Sequence, residues 1–169
     1  MNLPVVDASE AESAPAVAII GAGPCGLFQV FELGLLGIQA HVFDSLKVVG
    51  GQCAELYPDK PIYDIPAVPV CGAQELIDRL MQQIRPFNPQ FHLGDEVTTL
   101  LPDGAGRFTV GTASGTRMTF GAVVIAAGLG AFQPRRLGVP GAEAFEGQQI
   151  QYRVRDAQQL AGQRLVVFG

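Results

Sequence analysis

Three glycines pose the first chemical question. Residues 17–26 read VAIIGAGPCG, where Gly21, Gly23 and Gly26 follow a short apolar run in the order G-x-G-x-x-G. Each missing side chain has a physical consequence. Gly21 permits a sharp turn, Gly23 lets a pyrophosphate approach the backbone, and Gly26 permits close packing of a helix on a strand. Pro24 is a favourable first helical residue, and Cys25 beside it matters for its backbone N–H rather than its thiol. The free N–H groups and positive dipole end of such a helix start attract phosphate. A second short strand over residues 39–43 ends in Asp44, about 20 residues on, the distance at which an acid takes the hydroxyl pair of a ribose. Alone, the glycine spacing also describes an ordinary glycine-rich turn. The strand before it, the apolar helix after it and the acid beyond it point to a dinucleotide site.

These residues must be held by a strand–turn–helix–strand unit, and the pattern supplies one. The first helix starts at Pro24 and stops at Gly37, which can take the left-handed capping conformation, and Gly34 weakens its last turn. Residues 45–69 carry repeated prolines, paired glycines and scattered aromatics without helical or strand periodicity, and are expected to form a long structured loop. Leu76, Ile77, Leu80, Met81, Ile84 and Phe87 then make an apolar stripe at helical spacing, closed by Pro86 and Pro89. The segments FHL, EVTTLL, RFTVGT and TRMTF follow, separated by turn sequences such as PDGAG and ASG, and predict a β-meander feeding a buried strand, AVVIAAG. Residues 165–169, LVVFG, read as a further buried strand running into the first glycine of a second fingerprint. The expected organisation is a mobile tail over residues 1–15, a nucleotide-binding domain over 16–150, and a connection and first strand of a second domain over 151–169, so that the chain is a piece of a longer protein.

Composition narrows the function classes. A chain of 169 residues suffices for one domain with a proper core, and its net charge of -5 with no Lys/Arg block argues against nucleic acid as a partner. Cys25, Cys53 and Cys71 are an odd number without C-x-x-C spacing, which fits a reducing compartment, with cytoplasm as the default, better than a disulfide framework or a zinc site. The first 15 residues hold no basic residue and so lack the start of a signal peptide. Residues 16–40 are apolar almost throughout and nearly long enough to span a bilayer, but they contain Glu32 and five glycines. A buried strand and helix give the same hydropathy, and no membrane association is expected. His41 and His92 read as isolated, without a partner at ligand spacing, and as surface or satisfied histidines. Arg135 and Arg136 read as a solvated loop, with an acidic protein partner as the alternative.

The order of these elements, together with GGQCAELYPDKPIYDIPAVP over residues 50–69, carries a family resemblance. The chain resembles the ferredoxin (or flavodoxin)–NADP reductases of the thioredoxin-reductase-like type, whose flavin-facing loop has the same GGQ, LYP and IYD order. AAGLGAFQPRRL and YRVRDAQQLAGQRLVVFG are similar to that family as well. The resemblance implies an α/β, Rossmann-like FAD-binding domain, with a parallel sheet and a β-meander, of the two-dinucleotide-binding flavoprotein fold. It implies that Asp44, where glutamate is more usual, holds the adenosine ribose. It further implies that Gln52, beside Gly51, and Tyr57 contact the flavin, that backbone of Val97 contacts the adenine, and that Phe132 contributes an aromatic ring. Stacking of Tyr57 on the isoalloxazine suits a rigid ring of large area. Cofactors are then FAD and, through a domain beyond residue 169, NADP(H). Partners are ferredoxin or flavodoxin and NADPH, in a full-length homodimer. The flavin carries the chemistry, so no acid, base or nucleophile is assigned. In disulfide reductases of the wider superfamily a cysteine pair lies beside the flavin, but Cys53 reads as a packing residue. Two alternatives stay open: a thioredoxin-reductase-like disulfide reductase, and a non-catalytic flavin-binding module.

Overall fold

The structure, a computed structural model, describes residues 16–131, 136–152, 154 and 157–168. The chain divides between Phe132 and Gln133 into two compact units. The boundary expected at residue 150 lies within the second unit, and the expected tail over residues 1–15 lies outside the described residues.

In the first unit, β1 (Val17–Ile20) leads through a turn into α1 (Pro24–Leu35) and β2 (Ala40–Asp44). There follow α2 (Gly51–Glu55), β3 (Pro61–Ile62), β4 (Cys71–Gly72), α3 (Ala73–Ile84) and β5 (Gln90–Leu93). Then come β6 (Val97–Pro102), β7 (Phe108–Thr112), β8 (Arg117–Phe120) and β9 (Ala122–Ile125). Four strands form a parallel sheet in the order β5-β2-β1-β9, with Val17 opposite both Ala40 and Ala122. All four strands therefore end at the same edge, and β1 lies at the point where the strand order reverses, where open α/β sheets hold their ligands.

Side chains alternate across a strand, and here each face of the sheet meets a different partner. Ile19, Ala40 and Val42 face the helices and pack with Leu27 and Val30 of α1 and Ile77, Leu80 and Ile84 of α3. The α3 residues repeat at helical spacing, as the apolar stripe requires. Ala18 and Phe43 face the other way, onto Val110 and Phe120 of the antiparallel β6-β7-β8 meander. Phe43, Ile19, Leu27 and Ile77 are each less than 2 % exposed. Burial of each such side chain contributes about 1.5–3 kcal/mol before chain entropy is counted.

Four expectations are corrected. The segment FHL belongs to β5 of the parallel sheet rather than to the meander, because its partner is the distant β2. The loop over residues 45–69 contains the five-residue α2, and Pro61–Ile62 pairs with Cys71–Gly72. β9 pairs on one side only and leaves Ile125 70% exposed, so it is an edge strand here rather than a buried one. Residues 163–168 form no strand, and Val166 and Val167 are 82% and 90% exposed, since no ladder partner meets them among the described residues.

The second unit has short 3-10 turns at Ala142–Phe145 and Ala157–Leu160. The Tyr152 hydroxyl accepts the Leu137 N–H at 2.9 Å and donates to Glu146 at 2.8 Å. The exposed Arg136 lies 3.7 Å from the half-buried Glu146, a long pair worth little on its own.

Candidate dinucleotide-binding site

The site is built on the shared C-terminal edge of β1, β2 and β9. After Ile20 the chain turns at Gly21, which has a φ of +111°, and its N–H donates to the Phe43 carbonyl at 2.7 Å. A Cβ at Gly21 would overlap the Ala126 carbonyl, and one at Gly26 would overlap the carbonyl oxygen of Gly21. These two glycines are therefore demanded by packing. Gly23 differs: its φ of -74° suits any residue, and a Cβ there would meet only Gly51 Cα at 3.9 Å. What its absent side chain leaves open is the approach to the helix start.

Gly23 is the N-cap of α1 and no side chain caps it. The first bond of the helix runs from the Leu27 N–H to the Gly23 carbonyl at 2.9 Å, with Pro24 in the first turn and Cys25 exposed. The N–H groups of Cys25 and Gly26 thus open a helix with no side-chain cap and no acidic residue in its first turn. An uncapped, glycine-bared helix start fits a pyrophosphate.

Asp44 closes the other side. Its Oδ2 accepts the Ala22 N–H at 2.7 Å, and its Oδ1 accepts the Leu46 N–H at 2.8 Å. Each carboxylate oxygen has two lone pairs, so each retains one for a ribose hydroxyl. The short side chain therefore clasps the glycine turn as well as presenting an acceptor edge. The Asp44 carbonyl accepts the Asp95 N–H at 3.2 Å, which sets Val97, at the start of β6, two residues from the end of β2. The pairing of β6 with β7 is irregular between Val97 and Thr99.

The loop after β2 meets the glycine turn through paired glycines. Gly50, with a φ of +117°, donates its N–H to the Ala22 carbonyl at 2.8 Å. A Cβ on Gly51 would stand 3.1 Å from Gly23 Cα, so α2 begins in backbone contact with the turn. Gln52 is exposed, and its Nε2 lies 3.6 Å from where a Cβ of Gly128 would be, just beyond β9. Tyr57 follows α2 and is 55% exposed, with the Lys60 ammonium 5.2 Å from its ring centroid.

The structure thus gathers Gly21, Gly23, Pro24, Cys25, Gly26, Asp44, Gly51 and Gln52 at one edge, with Tyr57 five residues beyond Gln52 and Val97 two residues after Asp95, whose N–H donates to the Asp44 carbonyl. Phe132 and Arg135 lie outside the described residues. Sequence reasoning missed Gly50, whose signal is the paired glycine before Gln52, and Lys60, whose signal is its place three residues after Tyr57 across a Pro-Asp turn.

The histidines need correction too, since they are not isolated. His41 Nδ1 and His92 Nε2 lie 3.1 Å apart with the rings stacked, because parallel pairing of β2 with β5 makes them diagonal neighbours on one face. His92 also stacks on Phe43, and His41 meets the edge of Phe120. Burial holds both imidazoles below the ordinary range. The charge of His92 adds to the effect on His41, whereas Asp95 opposes it at His92. All three cysteines are free thiols. Cys53 packs against the helix-side core, and burial, with Cys25 and Cys71 nearby, pushes its thiol up. Among the described residues no group of three or more His, Cys, Asp or Glu is placed to hold a metal ion, and no helix is long and apolar enough to cross a membrane.

A family model described as pyridine nucleotide-disulphide oxidoreductase matches residues 15–169. Ferredoxin–NADP reductase 2 of Cupriavidus metallidurans is 62% identical over 151 residues, 89% of this chain and 41% of the relative. A ferredoxin–NADP reductase of Polaromonas naphthalenivorans is 52% identical over 172 residues, 100% of this chain and 47% of the relative. The chain thus spans less than half the length of these curated relatives. Among solved structures, a thioredoxin reductase from Streptococcus pyogenes matches with a TM-score of 0.60 at 21% identity, over 80% of this chain and 41% of the other. A cyclohexanone monooxygenase from Rhodococcus sp. Phi1, bound to NADP+, gives 0.64 at 23% identity, over 82% of this chain and 30% of the other. At these identities the structural likeness is one of fold, an α/β Rossmann-like domain with a meander.

Proposed function

Because the chain belongs to the pyridine nucleotide-disulphide oxidoreductase family, we propose that its first unit binds FAD and serves a reductase that moves electrons between ferredoxin or flavodoxin and NADP+. The observation that carries the binding role is the uncapped start of α1 beneath the bare Gly23, bracketed by the Asp44 carboxylate. The electron-transfer role is supported by relatives that are ferredoxin–NADP reductases at 52% to 62% identity.

The residues divide the cofactor between them. The N–H groups of Cys25 and Gly26 hold the pyrophosphate, and Gly23 admits it. Asp44 accepts the adenosine ribose hydroxyls, and the Val97 backbone reads the adenine. Gln52 hydrogen-bonds the flavin, Tyr57 covers one of its faces, and Phe132 adds a second aromatic. When bound, FAD supplies the chemistry, taking electrons singly from an iron–sulfur or flavin carrier and exchanging hydride with the nicotinamide. The protein's share is position, burial and electrostatics. On this reading residues 151–169 lead toward a second nucleotide domain. That domain would hold NADP(H), and the full-length protein would be a cytoplasmic homodimer.

Two measurements test this. The 169-residue chain should bind FAD in preference to FMN when titrated by flavin fluorescence. Mixed with FAD and NADPH without oxygen, the chain alone should show no saturable flavin bleaching, whereas a longer protein containing it should reduce ferredoxin. Rapid, saturable bleaching by this chain alone would place the nicotinamide site within it and overturn the two-domain reading.

A further inference from the structure

We infer that Lys60 is a positioning residue that acts through Tyr57, holding and polarising the ring that covers the flavin, and so raising the flavin's reduction potential. This rests on the reading of Tyr57 as that ring.

The pair is fixed by the backbone. Tyr57, Pro58, Asp59 and Lys60 form one turn, closed by the Lys60 N–H donating to the Tyr57 carbonyl at 3.0 Å. Pro58 restricts the second position of that turn. The turn is tied to the start of α3 at two points. The Pro58 carbonyl accepts the Gln74 N–H at 2.9 Å, and the Lys60 carbonyl accepts the Ala73 N–H at 3.0 Å. Two orphan donors of the helix are satisfied this way, so the turn gains a rigid base and the first and fourth residues cannot drift apart.

The side chains complete the arrangement. Lys60 Nζ lies 5.2 Å from the Tyr57 centroid, inside the range of about 6 Å at which a cation is attracted to a ring face. Lys60 takes no part in the ion pairs Glu75–Arg79, Asp103–Arg107 and Glu146–Arg136, and its ammonium stands over the ring. Tyr57 is still 55% exposed, which leaves it area to cover an isoalloxazine.

The electrostatic sign follows. A cation on one face draws π density toward itself and leaves the opposite face a poorer electron donor. The oxidised isoalloxazine is the electron-poor form and gains most from a rich donor ring, so a depleted ring favours the reduced form relative to the oxidised one. The whole of an exposed cation–π contact is worth a factor of about two to five, which sets the upper bound on how far its loss changes the ratio of affinities for oxidised and reduced flavin. For a two-electron couple that corresponds to roughly 10–20 mV.

The test uses Lys60→Met, Lys60→Arg, Tyr57→Leu and the Lys60→Met/Tyr57→Leu double variant, each as the chain saturated with FAD. Lys60→Met should lower the midpoint potential by up to that amount, Lys60→Arg should keep it near wild type, and the effect of Lys60→Met should vanish on the Tyr57→Leu background. In the ligand-free chain, NMR should find the Lys60 side-chain protons shifted upfield by the ring current, a shift lost in Tyr57→Leu. If Tyr57→Leu alters flavin fluorescence while Lys60→Met leaves the potential unchanged, the role of Lys60 is refuted and the stacking reading survives. An equal shift on both backgrounds means that Lys60 acts on the flavin directly, and refutes action through the ring. If Tyr57→Leu changes neither flavin fluorescence nor potential, the stacking reading itself falls.

Discussion

Gly23 and Gly26 stand three residues apart in the same motif, yet the structure gives them opposite liabilities, and a pair of alanine substitutions separates them. A methyl group at position 26 would run into the Gly21 carbonyl oxygen and stand 3.4 Å from Ile19 Cγ2, both parts of the wall on which α1 rests. Neither is the flexible end of a side chain, so α1 must lift away from β1 and loosen the contacts of Leu27 and Val30 with Ile19 and Val42. Overpacking of this kind costs about 1–3 kcal/mol or more, and an obstructing backbone atom puts it at the upper end. For a chain of this size about 3 kcal/mol lowers Tm by roughly 6–12 °C. At position 23 the same methyl group would find only Gly51 Cα at 3.9 Å, with ordinary φ, so Gly23→Ala should unfold within about 2–4 °C of wild type. Its methyl group would instead occupy the pyrophosphate approach. Loss of one or more charge-assisted hydrogen bonds, at about 1.5–3 kcal/mol, should weaken FAD about ten- to a hundredfold. Thermal unfolding by circular dichroism and FAD titration by fluorescence give both numbers. Wild-type Tm in Gly26→Ala would refute the packing argument, and unchanged FAD affinity in Gly23→Ala would refute the phosphate-turn assignment.

Asp44→Ala should weaken FAD by about ten- to a hundredfold and FMN much less, since only FAD carries the second ribose; equal losses in fluorescence titrations would leave Asp44 as a clasp for the turn alone. The histidine pair, His41 buried and His92 half-buried, predicts acid sensitivity. Folding holds both imidazoles below their ordinary 6.5, so below that pH the unfolded chain takes up protons that the folded chain refuses. Their contribution to stability is therefore complete above about pH 6.5 and is lost as the pH falls through the window beneath it. Calorimetry at about pH 7.5 and 5.5 should show a Tm drop that shrinks in His92→Asn, and a drop of undiminished size in the variant would remove the pair from the account. Alkylation at neutral pH, read by mass spectrometry, should label the exposed Cys25 first and Cys53 slowly, because burial disfavours the Cys53 thiolate; the reverse order would contradict the packing of α2.

What could be read from the chain beforehand is what local chemistry dictates. The glycine spacing, Pro24 at the helix start, Gly37 at its end and Asp44 at the end of β2 belong to one strand–turn–helix–strand motif, whose order brings Asp44 to the Ala22 N–H. The short α2 could not be seen that way. Five residues give no helical period, and its position depends on Gly50 adopting a left-handed turn against Ala54 and Ile77. The contact of His41 with His92 is invisible for a different reason, since it exists only because β5 pairs with β2 rather than with the meander. The apolar run AVVI was legible as a strand but not as an edge, because strand order belongs to the sheet and not to any one segment.

The register of β9 beside β1 bears on the order in which the molecule is made. Val17 meets Ala40 after a short excursion through α1, but it meets Ala122 only after about a hundred residues. The cost of closing a loop grows with its length, so β1, α1 and β2 can associate early while β9 is still searching or not yet synthesised. Yet Gly21 packs directly over Ala126, and the Ala126 N–H ties to Ile20 at 2.8 Å. The motif that stands first in the chain therefore gains its floor almost last. On the ribosome, cofactor capture has to wait until β9 has emerged, and a nascent chain that holds the whole fingerprint remains an unfinished receptor.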